Sequence, residues 1–156
     1  MTRWLDDDQQ REWRAYYAAT TLLSDRLSRE LQAAHGLSLS DYEILVRLSE
    51  APGRRMRMSH LADLTLSSRS RMSHQVDRLA DSGLVAREAC DVDRRGQNAV
   101  LTEAGWELLQ VAAPTHVEGV RAHLVDLLSP AQFSALGQAC AVVVDHLQCP
   151  DEAAEI

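Results

Sequence analysis

The chain has 156 residues, 46% hydrophobic and 25% charged, a size and composition that fit one soluble domain over residues 1–150. No stretch approaches the roughly 20 apolar residues of a membrane span, and the start Met-Thr-Arg-Trp-Leu-Asp-Asp-Asp lacks an apolar leader, so a cytoplasmic protein with no membrane partner is expected. The net charge of −7 argues against a nucleic-acid binder until its distribution is read: residues 54–95 hold nine Arg against six acids, and the rest of the chain seven Arg against seventeen.

In chain order, residues 8–34 place Trp13, Tyr16, Tyr17, Thr20, Leu23, Leu27 and Leu31 at steps of three and four, the spacing of an amphipathic helix, and His35-Gly36 ends it. Ser40-Asp41-Tyr42-Glu43 has capping-box spacing, with Leu39 able to staple onto Ile44. It predicts a second helix over 41–50, ended by Ala51-Pro52-Gly53. Met56-Arg57-Met58 is too short to assign alone. Ser59 is the expected cap of a short helix over 61–66 with Leu61 and Leu64 facing inward. Ser67-Ser68 then make a turn into a fourth helix over 69–82, with Met72, Val76 and Leu79 on one face and Gly83 closing it.

Two strand-like runs follow, 84–89 and 98–102, separated by Asp91-Val92-Asp93-Arg94-Arg95-Gly96-Gln97, which predicts a β-hairpin with a basic tip. Thr102 is placed to cap a helix whose stripe is Trp106, Leu109, Ala113, His116, Val120, Leu124 and Leu127, with a kink expected at Pro114. Ser129-Pro130-Ala131-Gln132 combines a capping box with Pro at the first helical position. It opens a last helix carrying Phe133, Leu136, Cys140, Val143, Val144 and Leu147, before an acidic tail over 151–156.

Two helices joined by a tight turn and followed by a hairpin define a winged helix-turn-helix, mainly α with a small β-hairpin wing. In such a module the second helix presents its N-terminal half to base edges in the major groove. The polar side of helix 69–82 carries Ser70, Ser73, His74 and Asp77, flanked by Arg71 and Arg78. Arg71 is suited to guanine, and Ser70, Ser73 and His74 to bases or phosphates. Arg69 and Arg78 are suited to phosphates, and Ser68 is a further candidate DNA contact. Arg94 and Arg95 at the hairpin tip suit the negative potential of the minor groove. Every basic residue is Arg, which favours bidentate contacts, although genomic base bias also yields that composition.

Leu79-Ala80-Asp81-Ser82-Gly83-Leu84-Val85-Ala86-Arg87, Asp93-Arg94-Arg95 and Val100-Leu101-Thr102-Glu103-Ala104-Gly105 together resemble the signature of the multiple-antibiotic-resistance regulator (MarR) family. The resemblance implies an obligate homodimer held by helices 8–34 and 103–148, and a winged lobe over 40–102 that reads double-stranded DNA at a palindromic operator. It also implies repression relieved by a small ligand or oxidant. It places Ser70, Arg71, Ser73 and His74 in the base-reading stretch and Arg94 and Arg95 in the wing. Members often carry Thr-Arg where this chain has Ser73-His74, so their base preference does not carry over.

Trp13, Tyr16 and Tyr17, with His35, Tyr42 and Arg47, are candidates to line a pocket for an aromatic or phenolic inducer, interface core being the other reading of Trp13 and Tyr17. Cys90, just before the hairpin tip, offers an alternative redox switch, while Cys140 reads as core. The three cysteines, including Cys149, have no CxxC spacing. The pairs His116 with His123 and His146 with Cys149 lack the donor cluster of a metal site. No metal and no cofactor are expected. GxGxxG, P-loop, HExxH and GxSxG are all missing, and Asp6-Asp7-Asp8 lies at a terminus expected to be too mobile to hold paired carboxylates. No catalytic residues, and hence no enzyme, are expected. A winged helix used for protein contact alone is the remaining alternative.

Overall fold

A computed structural model describes residues 2–90 and 96–148. The first helix, α1, runs Asp7–His35. Its start is firmer than a terminal acidic run suggests: the Gln9 N–H donates to the Asp6 carboxylate at 2.8 Å, and the Asp6 N–H donates to the Gln9 side-chain oxygen at 3.1 Å. This reciprocal box satisfies two donors that a helix otherwise leaves open. The helix ends at Gly36, whose φ of +70° is the left-handed conformation glycine adopts without penalty.

Helix α2 spans Leu39–Glu50, two residues earlier than predicted. Its cap is Ser38 and not Ser40, because both serines have an acid three residues on and only the earlier cap places Leu37 and Tyr42 together in the core. The Ser38 hydroxyl accepts from the Asp41 N–H at 3.1 Å and donates to the Asp41 carboxylate at 2.6 Å. After a 3₁₀ turn at Pro52–Arg54, strand β1 occupies Arg55–Arg57 and leads without a side-chain cap into α3, Met58–Leu64. The strand was too short to read, and the predicted Ser59 cap and Leu64 burial are both corrected. The helix enters directly from the strand, so Leu61 and Ala62 are buried and Leu64 is exposed.

Helix α4 covers Arg69–Asp81, followed by β2 at Val85–Ala89 and β3 at Gln97–Leu101. Gly83, at φ +73°, closes α4: the Leu84 N–H donates to the Leu79 carbonyl and the Gly83 N–H to the Ala80 carbonyl, both at 2.9 Å. The expected hairpin is one side of a three-stranded antiparallel sheet in which β3 lies between β1 and β2, with Arg55 opposite Val100 and Val85 opposite Leu101. Helix α5, Glu103–His123, runs through Pro114 as one helix and ends before Leu124 and Leu127 of the expected stripe; a 3₁₀ turn at Val125–Leu127 and then α6, Pro130–Gln148, follow.

Residues up to Gly119 make one compact unit and those from Val120 onward a second. The core of the first is built on Leu31, Ile44, Leu45, Leu48, Leu61, Met72 and Val76, joined by Val85, Ala99 and Leu101 of the sheet and Leu109 and Ala112 of α5. The buried face of α5 is Gly105, Leu109, Ala112 and Gly119, rotated from the predicted stripe. Small residues set it: a Cβ on Gly105 would lie 2.1 Å from the Leu84 carbonyl oxygen. In the second unit the capping box at Ser129 forms as read, the Ser129 N–H donating to the Gln132 side chain at 2.9 Å and the Gln132 N–H to the Ser129 hydroxyl at 3.3 Å. None of the residues of α6 is buried, and Phe133, Val143, Val144 and Leu147 are exposed.

Candidate nucleic-acid interface

Helices α3 and α4 meet through a turn that has no glycine. Leu66 takes a φ of +51° there, the Leu66 N–H donates to the Asp63 carbonyl at 3.2 Å, and the Ser67 N–H donates to the Ala62 carbonyl at 2.9 Å. Ser68 then caps α4, its hydroxyl accepting from the Arg71 N–H at 3.2 Å. This cap fixes the rotation of the helix at its start. Met72, Gln75, Val76 and Leu79 face the core, and Ser68, Arg69, Ser70, Arg71, His74 and Arg78 are exposed. Ser73 is half-buried, between these two groups.

Among the described residues Arg69 and Arg71 make no ion pair, whereas Arg78 pairs with Asp41 on α2 at 3.2 Å. A groove of about 580 Å³ runs along this side, lined by Ser38, Ser40, Ser68, Arg71, His74 and Gln75 among others. Among the described residues its lining carries hydroxyl, amide, imidazole and guanidinium groups, and the Asp41 carboxylate beside it is taken up by Ser38 and Arg78. Such a lining suits a polyanion with hydrogen-bonding edges.

The sheet supplies the neighbouring wall. Arg55 pairs with Glu88 across β1 and β2 at 2.5 Å, and the Arg57 guanidinium donates to the Cys90 sulfur at 3.3 Å. Arg87 reaches from β2 to α4, donating to the Ser73 carbonyl at 3.0 Å and hydroxyl at 2.8 Å, and pairs with Asp77 at 2.8 Å. A polar cleft of about 490 Å³ opens between these parts, lined by Arg57, Ser59, Arg69, Ser73, Arg87 and Gln97 among others. Arg57, Ser59 and Gln97 are not among the site residues the sequence predicts, and Arg87 stands in the signature without a role. The signal in the sequence is an arginine on a two-residue strand period next to a serine-rich helix face, which becomes legible only once the strand is docked. Arg94 and Arg95 lie outside the described residues, as does Cys149.

The six residues considered for an inducer fall into three groups. Trp13 packs on Tyr16 and Tyr17 with ring centroids 6.1 and 5.8 Å apart, and all three are exposed. His35 shares a 2.8 Å hydrogen bond with Thr115, and Tyr42 lies 4.6 Å from the His116 ring. Burial lowers the His116 pKa and raises that of Tyr42, and the His116 Nδ1 is buried without a partner. Arg47 stands between Glu43 and Glu50, 3.8 Å from each, and lines a separate shallow groove with Met56, His60 and Leu64. Among the described residues, no three His, Cys, Asp or Glu side chains gather as a metal site requires, and no single helix is long and apolar enough to cross a membrane.

A helix-turn-helix flanked by a three-stranded sheet, with the capped helix turning a cationic face outward, defines a winged helix-turn-helix protein. The comparisons with known proteins agree. Residues 35–96 match the MarR family model. AbsC, a MarR family transcriptional regulator from Streptomyces coelicolor, is 49% identical, with 94% of this chain and 98% of AbsC covered and a TM-score of 0.89. Sco3205 from the same organism, a MarR family transcriptional regulator solved in complex with DNA, is 45% identical, with 99% and 97% covered and a TM-score of 0.94. The HTH-type transcriptional regulator PecS of Dickeya dadantii strain 3937 is 30% identical over 112 residues, and that match covers 70% of this chain and 64% of PecS, just under two thirds of its length. The chain belongs to the MarR family of transcription regulators.

Proposed function

We propose that the chain is a homodimeric, sequence-specific DNA-binding regulator that represses from a palindromic operator. Helix α4 enters the major groove of each half-site and the wing carries Arg94 and Arg95 to the minor groove. The observation that carries this reading is the exposed side of α4. Ser68, Ser70, Arg71 and His74 stand beside one groove, Arg69 and Arg71 are unpaired among the described residues, and the nearby acids Asp77 and Asp41 are engaged by Arg87 and Arg78. The DNA complex of Sco3205, 45% identical, supports it. The dimer is supported by apolar residues that α1 and α6 leave exposed, since patches of that kind usually mark an interface. Two-fold symmetry then spaces two recognition helices about 34 Å apart, one turn of DNA. Relief of repression by a small aromatic or phenolic ligand completes the proposal.

The test is binding to a palindromic duplex over a salt series. Affinity is expected to fall log-linearly with salt, and Arg94→Ala or Arg95→Ala is expected to flatten the slope by about one unit. Binding that is absent or indifferent to salt overturns the proposal and favours a protein-contact module. A second reading has one observation in its favour. The Arg57 guanidinium donates to the Cys90 sulfur, so a cation stands beside the group that peroxide would oxidise. It requires peroxide to weaken DNA binding in the parent protein and leave Cys90→Ser unaffected.

A further inference from the structure

Arg87 is the side chain through which the wing holds the recognition helix. Its side chain is 25% exposed, against 64% for Arg78, the other arginine that anchors α4. One terminal nitrogen donates to both the carbonyl and the hydroxyl of Ser73 and pairs with Asp77, one helical turn later; the other donates to Gln97 on β3. The Ser73 carbonyl lies inside α4, so Arg87 takes the lone pair that the helix's own hydrogen bond leaves over. The Nε edge is sealed from solvent. A guanidinium spent in this way on α4 and β3, with its Nε edge buried, has no fork left to offer a phosphate. Arg69 and Arg71 make no such contacts among the described residues.

We infer that Arg87 is a positioning residue that sets the register between recognition helix and wing, and thereby governs discrimination between DNA sequences without adding to the phosphate count. This rests on the DNA-reading function proposed above. Planarity is essential to the role, because a lysine ammonium retains the charge but cannot bridge Ser73, Asp77 and Gln97 together.

The parent protein is first used to select a palindromic duplex from a randomised pool. Arg87→Lys, Arg87→Ala and Asp77→Asn are then titrated with that duplex and a scrambled one over a salt series, with a thermal melt for each variant. Both Arg87 variants are expected to lower the ratio of specific to scrambled affinity by about ten-fold, with Asp77→Asn moving it part of the way, while the salt slope keeps its parent value. A phosphate contact gives the opposite pattern: Arg87→Ala loses about one unit of slope and Arg87→Lys stays close to the parent. That pattern overturns the inference and leaves the DNA-reading proposal standing. A lowered melting temperature with unchanged discrimination also overturns it, by reducing Arg87 to a stability contact. If Arg87→Ala fails to fold, Arg87→Lys and Asp77→Asn carry the test. Failure of the parent to select any duplex overturns the DNA-reading proposal and this inference with it.

Discussion

Helices α4 and α6 solve opposite problems. In α4 the apolar residues Met72, Val76 and Leu79 are buried within its own unit, and the outward side is polar and cationic. In α6 the apolar residues are the exposed ones, with Leu147 at 74% and Val143 at 52% of full exposure, and none is buried. A helix that finds its core inside one chain has its outer side free for a ligand. A helix that leaves its apolar side in water is completed by something else. The contrast sets the side of the chain proposed to read DNA apart from the one proposed to assemble.

The largest effect should come from attacking the apolar helix. If a second copy covers α6, Val143→Glu buries a carboxylate at the interface at a cost of about 3 kcal/mol or more, and sedimentation should register monomers at concentrations where the parent is a dimer. An unchanged oligomeric state would detach α6 from assembly. Met72→Ala, beneath α4, should lower stability by about 3 kcal/mol in denaturant melts while the subunit stoichiometry is kept. On the outward side, Arg71→Ala should relax discrimination at one base position by about 2 kcal/mol, read from a panel of single-base operator variants. Smaller again is Ser68→Ala, which removes the cap of α4 and should cost about 1 kcal/mol of stability.

His116, on α5, adds a pH dependence. Burial holds His116 below the ordinary histidine value of 6.5. The unfolded chain therefore binds a proton at His116 before the folded one does, so its contribution to stability is complete above 6.5 and is lost as pH falls from 6.5 toward the depressed folded value. Melts between pH 7.5 and 5.5 should show a shallower loss for His116→Gln than for the parent. A steeper loss would mean that the proton is welcomed in the fold.

What the sequence made legible is local. The Ser129 capping box, the closure of α4 at Gly83 and the Met72, Val76 and Leu79 face are each written within a few residues and stand as read. The misses are non-local. Three residues of β1 say nothing until β3, more than forty residues on, pairs with them. The buried face of α5 keeps Leu109 of the expected stripe but is rotated from it, because close approach is set by Gly105, Ala112 and Gly119 and not by apolar bulk. Within the interface the polar side of α4 was readable from a 100° step, but Arg87 reaches that side from another element, across fourteen residues of sequence. Ser73, expected on the polar side, is half-buried and its hydroxyl accepts from that arginine.

Thr102 ties several of these elements to a single oxygen atom. Its hydroxyl donates to the Gly83 carbonyl at 2.7 Å, just past the end of α4, and accepts from the Gly105 N–H at 3.0 Å, in the first turn of α5. Valine copies the shape and can do neither, and asparagine divides the two roles between separate atoms, so serine is the substitute that keeps both on one atom. Threonine and serine are therefore the two residues that meet both demands. Any inherited change there has to be matched at the end of the reading helix, at the root of the wing and at the start of the long helix all at once.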